Sequence, residues 1–317
     1  MNKKLTVIVM TFNHKDYIER SIGSILSQKT TFPFDILVHD DCSDDGTYEK
    51  ILKLCELNPG RIKLVRQLQR KFPVDGFNLM ICNYVSPLIE TEYVAYCDGD
   101  DYWCDDNKLQ KQFEFMEDHK EYSMCFHSAY QLKENNDLSS DWFFGRNEDI
   151  DLSFIINGQP GVHIATSSIF LKSSVFCNFV DWRKKFPVED IPLYIQACIE
   201  GKVRRLSDKM CVYRQFASGS WSSQNKNNTE KTIKHLNEMY EAFSNFDEST
   251  DKKYHELVER ELDGLLFRIA VLRKDLKVIF NKRNKIYLKS LSSKDRISFK
   301  LQYRLPHLYN LFHRKKK

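Results

Sequence analysis

Short apolar runs alternate with segments of helical periodicity over the first hundred residues of the chain. Residues 5–10 and 35–39 are apolar runs of strand length. Between them, Ile18, Ile22 and Ile25 are spaced to form one apolar stripe of a helix. Such alternation is typical of β-α-β units whose mostly parallel sheet is flanked by helices. The pattern therefore predicts an α/β fold.

The alternation continues to about residue 212. Ser43 is predicted to cap the helix that follows the second strand. Residues 137–160 lack periodicity, and we predict a long, substrate-facing loop there that contains Trp142 and Phe143. Further strands are predicted at 61–66, 92–97, 122–130, 163–171, 182–187 and 202–212, and further helices at 77–89, 109–116 and 193–199.

A polar stretch at 218–229 separates this part from a charged, helical end. We accordingly predict one domain at 1–224 and a helical, basic C-terminal extension at 225–317. The 317 residues are 42% hydrophobic and 29% charged, which suits a globular chain with a sizeable core.

Cysteine usage and hydropathy favour a cytoplasmic location. The nine cysteines are scattered and include no Cys-x-x-Cys pair, so neither a disulfide framework nor a zinc site is indicated. The longest uncharged apolar run, at 5–12, is shorter than the ~20 residues of a membrane span and lacks the layout of a secretory signal.

Positive charge is concentrated at the C-terminal end of the chain. The net charge is +4, yet residues 282–317 contain twelve Lys or Arg and a single Asp. Apolar residues from Leu301 to Phe312 lie among these cations, interrupted by Pro306, a pattern that favours an interfacial helix on an anionic membrane surface. A solvated tail is the alternative. Nucleic acid is not an expected partner, because no recognition motif accompanies the charge.

Polar side chains follow three of the predicted strands. In a parallel sheet, ligands bind at the carboxyl ends of the strands. Several carboxylates gathered there repel one another unless a cation lies among them, and oxygen ligands suit Mg²⁺ or Mn²⁺. The set comprises Thr11 and Asn13 after the first strand, Asp40 and Asp41 after the second, and Asp98, Asp100 and Asp101 after the fourth.

The segment Val-Ala-Tyr-Cys-Asp-Gly-Asp-Asp-Tyr-Trp at 94–103 resembles the metal-binding segment of family 2 glycosyltransferases. The segments at 7–13, 21–28 and 39–47 resemble that family's other motifs, in the same order and near the same spacing. The resemblance extends over residues 5–222. It implies a GT-A fold, a nucleoside diphosphate sugar as donor and transfer with inversion.

The resemblance also implies roles for the acidic turns. Thr11 and Asp41 match positions around the nucleobase, with Asp40 and Asn13 beside them. Asp98 matches a carboxylate near the ribose and the metal, Asp100 matches the direct metal ligand, and Asp101 assists. A divalent cation there would stabilise the diphosphate leaving group as its negative charge grows.

Glu189-Asp190 precedes a predicted helix and resembles the family's Glu-Asp element. The resemblance assigns Asp190 as the base that removes the proton of the acceptor hydroxyl. The alternative is a helix start favoured by the helix dipole. Arg214 is expected to contact the diphosphate. The sequence departs from the family at Phe216, where many relatives have histidine, and at Cys42, where glycine is usual.

Together these features predict an inverting, metal-dependent glycosyltransferase that adds a sugar, with UDP favoured as the carrier, to a growing surface glycan or lipid-linked glycan. A haloacid dehalogenase-type phosphatase is excluded, because Ser43 stands where its motif needs a carboxylate. A sugar-nucleotide pyrophosphorylase is excluded, because residues 11–17 contain no glycine. The open alternative is a glycosyltransferase-like protein without turnover that binds a nucleotide or scaffolds an assembly, with Phe216 as the clue.

Overall fold

The structure is a computed structural model that describes residues 3–133, 135, 137–139, 148–158, 164–215 and 228–305. Two compact units are present, Met1–Lys226 and Asn227–Lys317. The predictions for Trp142, Phe143, Phe216 and everything beyond residue 305 lie outside the described residues.

The first unit contains one mixed sheet with helices along it. Its described strands are β1 (Leu5–Thr11), β2 (Phe34–Asp40), β3 (Ile62–Arg66), β4 (Tyr93–Tyr96), β5 (Tyr102–Trp103), β6 (Tyr122–Leu132), β7 (Leu138–Ser139), β8 (Glu148–Ile150), β9 (Phe170–Lys172) and β10 (Lys202–Arg214). Its described helices are α1 (Ile18–Leu26), α2 (Thr47–Leu57), α3 (Phe72–Tyr84), α4 (Lys108–Asp118), α5 (Leu152–Asn157), α6 (Ser173–Cys177), α7 (Asp181–Lys184) and α8 (Asp190–Glu200).

The predicted α/β class is confirmed. Strand order is β3-β2-β1-β4-β9-β6-β10-β5, with β7 beside β6 and β8 beside β10. The pairs among β1, β2, β3 and β4 are parallel, as is the pair β6/β10. Strand β9 is antiparallel to both of its neighbours, β4 and β6. The parallel half thus ends at β4, the strand that leads into the Asp98–Asp101 segment.

β1 is buried along its whole length and separates two apolar layers. Leu5, Val7 and Val9 pack with the apolar stripe of α1 and with α4. Ile8 and Met10 face the opposite way, toward α3 and α8. Successive side chains of a strand point to opposite faces, so a central strand covered by helices on both sides is apolar at every position.

Four local predictions were wrong. Of the strand predicted at 163–171, only the end is a strand: β9 begins at Phe170, after a 3₁₀ turn at Thr166–Ser168. Ser43 does not cap α2, which begins after Gly46; instead its hydroxyl donates to the Asp40 carboxylate. Residues 182–187 do not form a strand, because α7 occupies Asp181–Lys184. The described parts of the predicted 137–160 loop contain β7, β8 and α5. Elements as short as β7, β8, α5 and α7 contain too few residues to show a clear period, so the hydrophobic pattern did not predict them.

The second unit is helical in its described part. Its helices are α9 (Thr229–Ser249), α10 (His255–Arg273), α11 (Leu276–Ile279) and α12 (Ser293–Arg304). Phe267 and Ala270 of α10 pack with Ile279 of α11, and Phe299 of α12 lies against this cluster. In the ranges that the structure describes, no helix has both the length and the apolarity needed to cross a bilayer.

Cys42 adopts a left-handed backbone conformation, with φ 65°. A residue with a Cβ is strained there by about 1–2 kcal/mol, whereas glycine adopts this region freely. We expect Cys42→Gly to stabilise the protein by up to about 1 kcal/mol, since glycine's greater freedom in the unfolded chain offsets part of the gain. Urea-induced unfolding measures this change.

Cys42→Ala is the matched control, because it removes the thiol and keeps the Cβ. Equal unfolding midpoints for the glycine and alanine variants would contradict the assignment of strain to this position.

Candidate active site

Three loops leave the carboxyl ends of β1, β2 and β4. They are named here the first loop (12–17), the second loop (41–46) and the third loop (97–101). Thr11 and Asp40, the residues before the first two loops, are paired in register. Because β1 lies between β2 and β4, all three loops start at one edge of the sheet.

Backbone hydrogen bonds hold the loops to the end of β1. The N–H of Asp41 donates to the carbonyl of Thr11 (3.0 Å), and the N–H of Gly99 donates to the carbonyl of Met10 (2.9 Å). These bonds continue the sheet's ladder beyond the strands. The loops are consequently placed by the sheet itself.

Asn13 joins the first loop to the second. Its backbone N–H donates to the hydroxyl of Ser43 (2.9 Å), and its side-chain amide exchanges two hydrogen bonds with Asp44 (2.9 and 3.1 Å). Its backbone φ of 55° is left-handed, a region that asparagine tolerates better than most residues. Asn13 is therefore engaged in shaping the two loops.

Asp40 is fully buried at the end of β2. Its carboxylate accepts from the backbone N–H and the hydroxyl of Ser43, and Arg66 Nε lies 3.8 Å from Oδ2. Burial raises the pKa of Asp40, and these partners only partly offset that effect. The side chain acts as an internal brace of the second loop.

Asp41 lies at the start of α3. Its two carboxylate oxygens accept from the backbone N–H groups of Lys71 (2.7 Å) and Phe72 (3.1 Å), and Arg70 Nε is 3.9 Å away. A carboxylate at a helix N-terminus is stabilised by the N–H groups that have no partner within the helix. Each oxygen keeps a further lone pair with which it can accept a hydrogen bond from a ligand.

The three aspartates of the third loop have different surroundings. Asp101 is buried, and its carboxylate accepts from the hydroxyl of Ser167 (2.6 Å) and the backbone N–H of Arg214 (2.9 Å). Burial and repulsion from Asp100 raise the pKa of Asp101 to about 8. Asp98 and Asp100 are half-buried. The third loop is thus fixed through Asp101, while Asp98 and Asp100 remain partly exposed.

Gly99 permits the third loop to lie against the first. A Cβ at this position would come within 2.7 Å of Thr11 Oγ1 and of His14 Nδ1, closer than real Cβ contacts allow. Only glycine therefore fits without displacement of one loop. This contact places Asp100 Oδ2 3.9 Å from His14 Nε2.

Asp190 is the first residue of α8, and its Oδ1 accepts from the backbone N–H of Ile191 (2.8 Å). The preceding residue, Glu189, is buried and accepts from the hydroxyl of Tyr96 at the end of β4 (3.1 Å). Burial raises the pKa of Glu189 to about 7. The start of α8 is in this way tied to the strand that leads into the third loop.

Asp98 is held in the third loop by backbone hydrogen bonds: its N–H donates to the hydroxyl of Ser167 (3.3 Å), and its carbonyl accepts from the hydroxyl of Ser21 (3.1 Å). Burial raises the pKa of Asp98 well above the usual range, and repulsion from Asp101, Asp100, Glu189 and Asp190 raises it further. The hydrogen bond from Tyr96 to Glu189 places the start of α8, and with it the predicted base Asp190, beside the strand that leads into the third loop.

Arg214 is the cation nearest to the third loop among the predicted residues. Its Nε donates to the backbone carbonyl of Asp100 (3.0 Å), and its guanidinium lies 4.5 Å from the ring centroid of Tyr17. The charge of Arg214 partly offsets the rise that burial causes in the pKa of Asp101. A fixed guanidinium beside these carboxylates is suited to binding phosphate oxygens.

The donors available in the third loop are carboxylate oxygens, which are the type of ligand that a divalent cation such as Mg²⁺ prefers. Within the described ranges, no group of three or more His, Cys, Asp or Glu side chains is arranged to hold a metal ion. Mg²⁺ sites that act on nucleotides commonly use one or two carboxylates together with substrate phosphates and water. Asp98 and Asp100 are suitable ligands of that kind.

Sequence reasoning missed three participants. His14 contacts Thr11 and faces Asp100, Ser167 anchors Asp101, and Tyr96 binds Glu189. The sequence does contain an indication for His14, because this residue directly follows Asn13, the last residue of the first family motif. Ser167 had none, because its partner is 66 residues away.

We expect Gly99→Ala to destabilise the protein by about 1–3 kcal/mol, because the new Cβ overlaps with Thr11 and His14. Gly23→Ala is the matched control: it lies in α1 with open space around its Cβ, so the helix should gain up to about 1 kcal/mol. Thermal unfolding of both variants measures the difference. Equal stability would show that the first and third loops do not pack as described.

The sequence model described as Glycosyl transferase family 2 matches residues 6–176, more than half of the chain. An uncharacterized protein of Mycobacterium tuberculosis is 27% identical over 228 residues, which are 69% of this chain and 61% of that protein. The chain thus spans about three fifths of that relative. Escherichia coli WfaP, named UDP-Glc:alpha-D-GlcNAc-diphosphoundecaprenol beta-1,3-glucosyltransferase, is 25% identical over 222 residues, 69% of this chain and 80% of that protein.

Solved structures show the same fold. S. aureus TarS in complex with UDP-GlcNAc superposes with a TM-score of 0.58 at 18% identity, covering 94% of this chain and 81% of that one. The mannosyltransferase PcManGT from Pyrobaculum calidifontis, in complex with GDP-Man and Mn²⁺, gives 0.54 at 16% identity, covering 100% and 89%. The predicted GT-A type fold is confirmed, and the chain belongs to glycosyl transferase family 2.

Proposed function

We propose that the protein is an inverting, metal-dependent glycosyltransferase that moves a sugar from a nucleoside diphosphate sugar to a hydroxyl of a growing surface glycan. One observation supports the proposal: the hydrogen bond between Tyr96 and Glu189 (3.1 Å) ties the start of α8, which bears Asp190, to the strand that leads into the third loop with Asp98 and Asp100. In an inverting transfer the base and the diphosphate lie on opposite sides of one sugar, so the residues that hold them must lie close to each other.

UDP is the proposed nucleotide. WfaP is named for UDP-Glc, and TarS is seen with UDP-GlcNAc, whereas PcManGT is seen with GDP-Man. We assign the nucleobase side of the donor to Thr11 and Asp41, with Asp40 and Asn13 shaping the loops that hold it. Arg214 is assigned to the diphosphate.

Asp98 and Asp100 are the proposed ligands of Mn²⁺ or Mg²⁺, with Asp101 assisting by fixing the third loop. When bound, the cation offsets the negative charge that gathers on the diphosphate. Carboxylate oxygens at the end of a strand are the donors that Mn²⁺ and Mg²⁺ prefer, and one or two of them suffice where phosphates and water complete the coordination. PcManGT, which shares the fold, is seen with Mn²⁺.

Asp190 is the proposed catalytic base. It accepts the proton of the acceptor hydroxyl while the oxygen bonds to the anomeric carbon and the bond from that carbon to the diphosphate breaks. The hydrogen bond from Ile191 N–H holds one carboxylate oxygen at the start of α8 (2.8 Å). The buried Tyr96–Glu189 bond keeps that helix start beside the third loop.

A nucleotide-binding protein without turnover is not favoured. A protein that only binds a metal-bound nucleotide would use Asp98 and Asp100. It would have no need of a carboxylate at Asp190, which lies at the start of α8 beside the strand that leads into the third loop.

We expect Asp190→Asn to lower kcat about a hundred- to ten-thousand-fold, because an amide cannot take the proton, while nucleotide affinity is unchanged. Asp100→Asn should instead weaken Mn²⁺-dependent nucleotide binding by roughly tenfold or more. Consumption of a panel of nucleotide sugars measures turnover, and calorimetry measures nucleotide binding.

Asp181→Asn is the control, since this aspartate lies at the exposed start of α7, with its side chain 95% accessible. Nucleotide binding by the wild-type chain, without turnover of any donor in the panel, would contradict the enzymatic proposal and support the binding protein.

The proposed location is the cytoplasm, at the inner face of the membrane, where lipid-linked acceptors are found. WfaP is named for a diphosphoundecaprenol-linked acceptor. In α12 and just after it, Ile297, Leu301 and Leu305 are spaced by four residues and are 59%, 45% and 47% exposed. Eight Lys or Arg residues and one Asp lie between 282 and 305. An exposed apolar stripe among cations suits an anionic membrane.

We expect the full chain to float with phosphatidylglycerol vesicles at low salt and to dissociate as salt rises. Ile297→Glu with Leu301→Glu should weaken this binding at least about tenfold. Leu57→Glu, at a 67% exposed position in α2, is the matched control and should leave binding unchanged. Equal binding by all three proteins, or by neutral vesicles, would contradict the proposed surface.

A further inference from the structure

We infer that His14 is a nitrogen ligand of the divalent cation, acting together with Asp100. This inference rests on the proposed function, in which Asp100 binds that cation. His14 belongs to the first loop and is 9% exposed. Its Nε2 is directed toward the third loop, 3.9 Å from Asp100 Oδ2.

The ring of His14 is held by its other nitrogen. Nδ1 lies 3.2 Å from the hydroxyl oxygen of Thr11, a buried residue at the end of β1. Histidines that bind metals nearly always use the second ring nitrogen for a hydrogen bond of this kind, which fixes the ring's orientation. In the tautomer in which Nδ1 donates to Thr11, Nε2 carries the lone pair, and it lies 3.9 Å from Asp100 Oδ2.

The separation of His14 Nε2 and Asp100 Oδ2 suits two ligands of one cation. At 3.9 Å it is too long for a hydrogen bond between them. Two atoms that each lie about 2.1 Å from one cation are about 3.0 Å apart when adjacent and about 4.2 Å apart when opposite. The observed 3.9 Å matches neither value, and a small rotation of either side chain would bring the pair to one of them when the cation binds.

The backbone of His14 is also fixed. Its carbonyl accepts from the N–H groups of Tyr17 and Ile18 (both 2.9 Å) at the start of α1. The missing Cβ of Gly99 lets the third loop lie directly on the imidazole and on Thr11. A ligand pair held by two loops and a helix start is arranged before the cation arrives, which reduces the ordering needed on binding.

A nitrogen ligand changes which cation is preferred. Mg²⁺ strongly prefers oxygen donors, while transition-metal ions accept imidazole readily. The inference therefore predicts that the wild-type protein binds Mn²⁺ more tightly than Mg²⁺ in the presence of nucleotide, and that removing the imidazole reduces this preference about tenfold.

Electron spin-echo measurements on Mn²⁺ bound with UDP, GDP or dTDP, whichever binds most tightly, test the inference directly. We expect the wild-type complex to show modulation from imidazole ¹⁴N. His14→Asn should abolish it, because asparagine reproduces the atom bonded to Thr11 and lacks Nε2. His119→Asn, at an exposed position after α4, is the control and should leave the modulation intact.

A wild-type complex with Mn²⁺ and nucleotide bound but no ¹⁴N modulation would overturn the role of His14 and leave the proposed function standing. Persistence of the modulation in His14→Asn would overturn it as well. Failure of the wild-type chain to bind Mn²⁺ with any of the three nucleotides would overturn both proposals. Nucleotide affinity without metal, measured on each variant, shows that the site is still folded.

Discussion

Repulsion among carboxylates at one edge of the sheet is the constraint on which this site depends. Burial is the main reason that the pKa of Asp98 is raised, and repulsion from Asp101, Asp100, Glu189 and Asp190 raises it further. Bringing several negative charges together where little solvent reaches them lowers the stability of the folded protein. The fold sustains this arrangement by tying each element to the sheet, and the cation that we propose would relieve the repulsion.

The ties are local and each has a separate cause. Asp101 fixes the third loop through Ser167 and Arg214, Glu189 fixes the start of α8 through Tyr96, and Asp41 begins α3 through backbone N–H groups. None of these bonds involves the carboxylate of Asp98 or that of Asp100. Within the third loop, the bracing carboxylate Asp101 is therefore distinct from Asp98 and Asp100, which are left to bind a ligand, although the three stand close together in the sequence.

Sequence predicted the parts of this arrangement that depend on periodicity or on contiguous motifs. The buried strands β1 and β2, the α1 stripe and the three acidic turns all lie where the pattern placed them. Short elements such as α7 were missed, because a single helical turn has no periodicity to detect. The hydrogen bond between Ser167 and Asp101 was missed for another reason. The two residues are 66 positions apart, and a single sequence does not show which distant residues meet in the fold.

The central claim is that Asp98, Asp100 and Asp190 surround one cleft in which a cation and a donor diphosphate bind. Anomalous diffraction at the manganese edge, on crystals grown with Mn²⁺ and a nucleotide sugar, tests it most directly. The account predicts one peak beside Asp98 and Asp100, with the anomeric carbon of the sugar lying between that peak and Asp190. A peak elsewhere, or a sugar with Asp190 on a different surface, would contradict it.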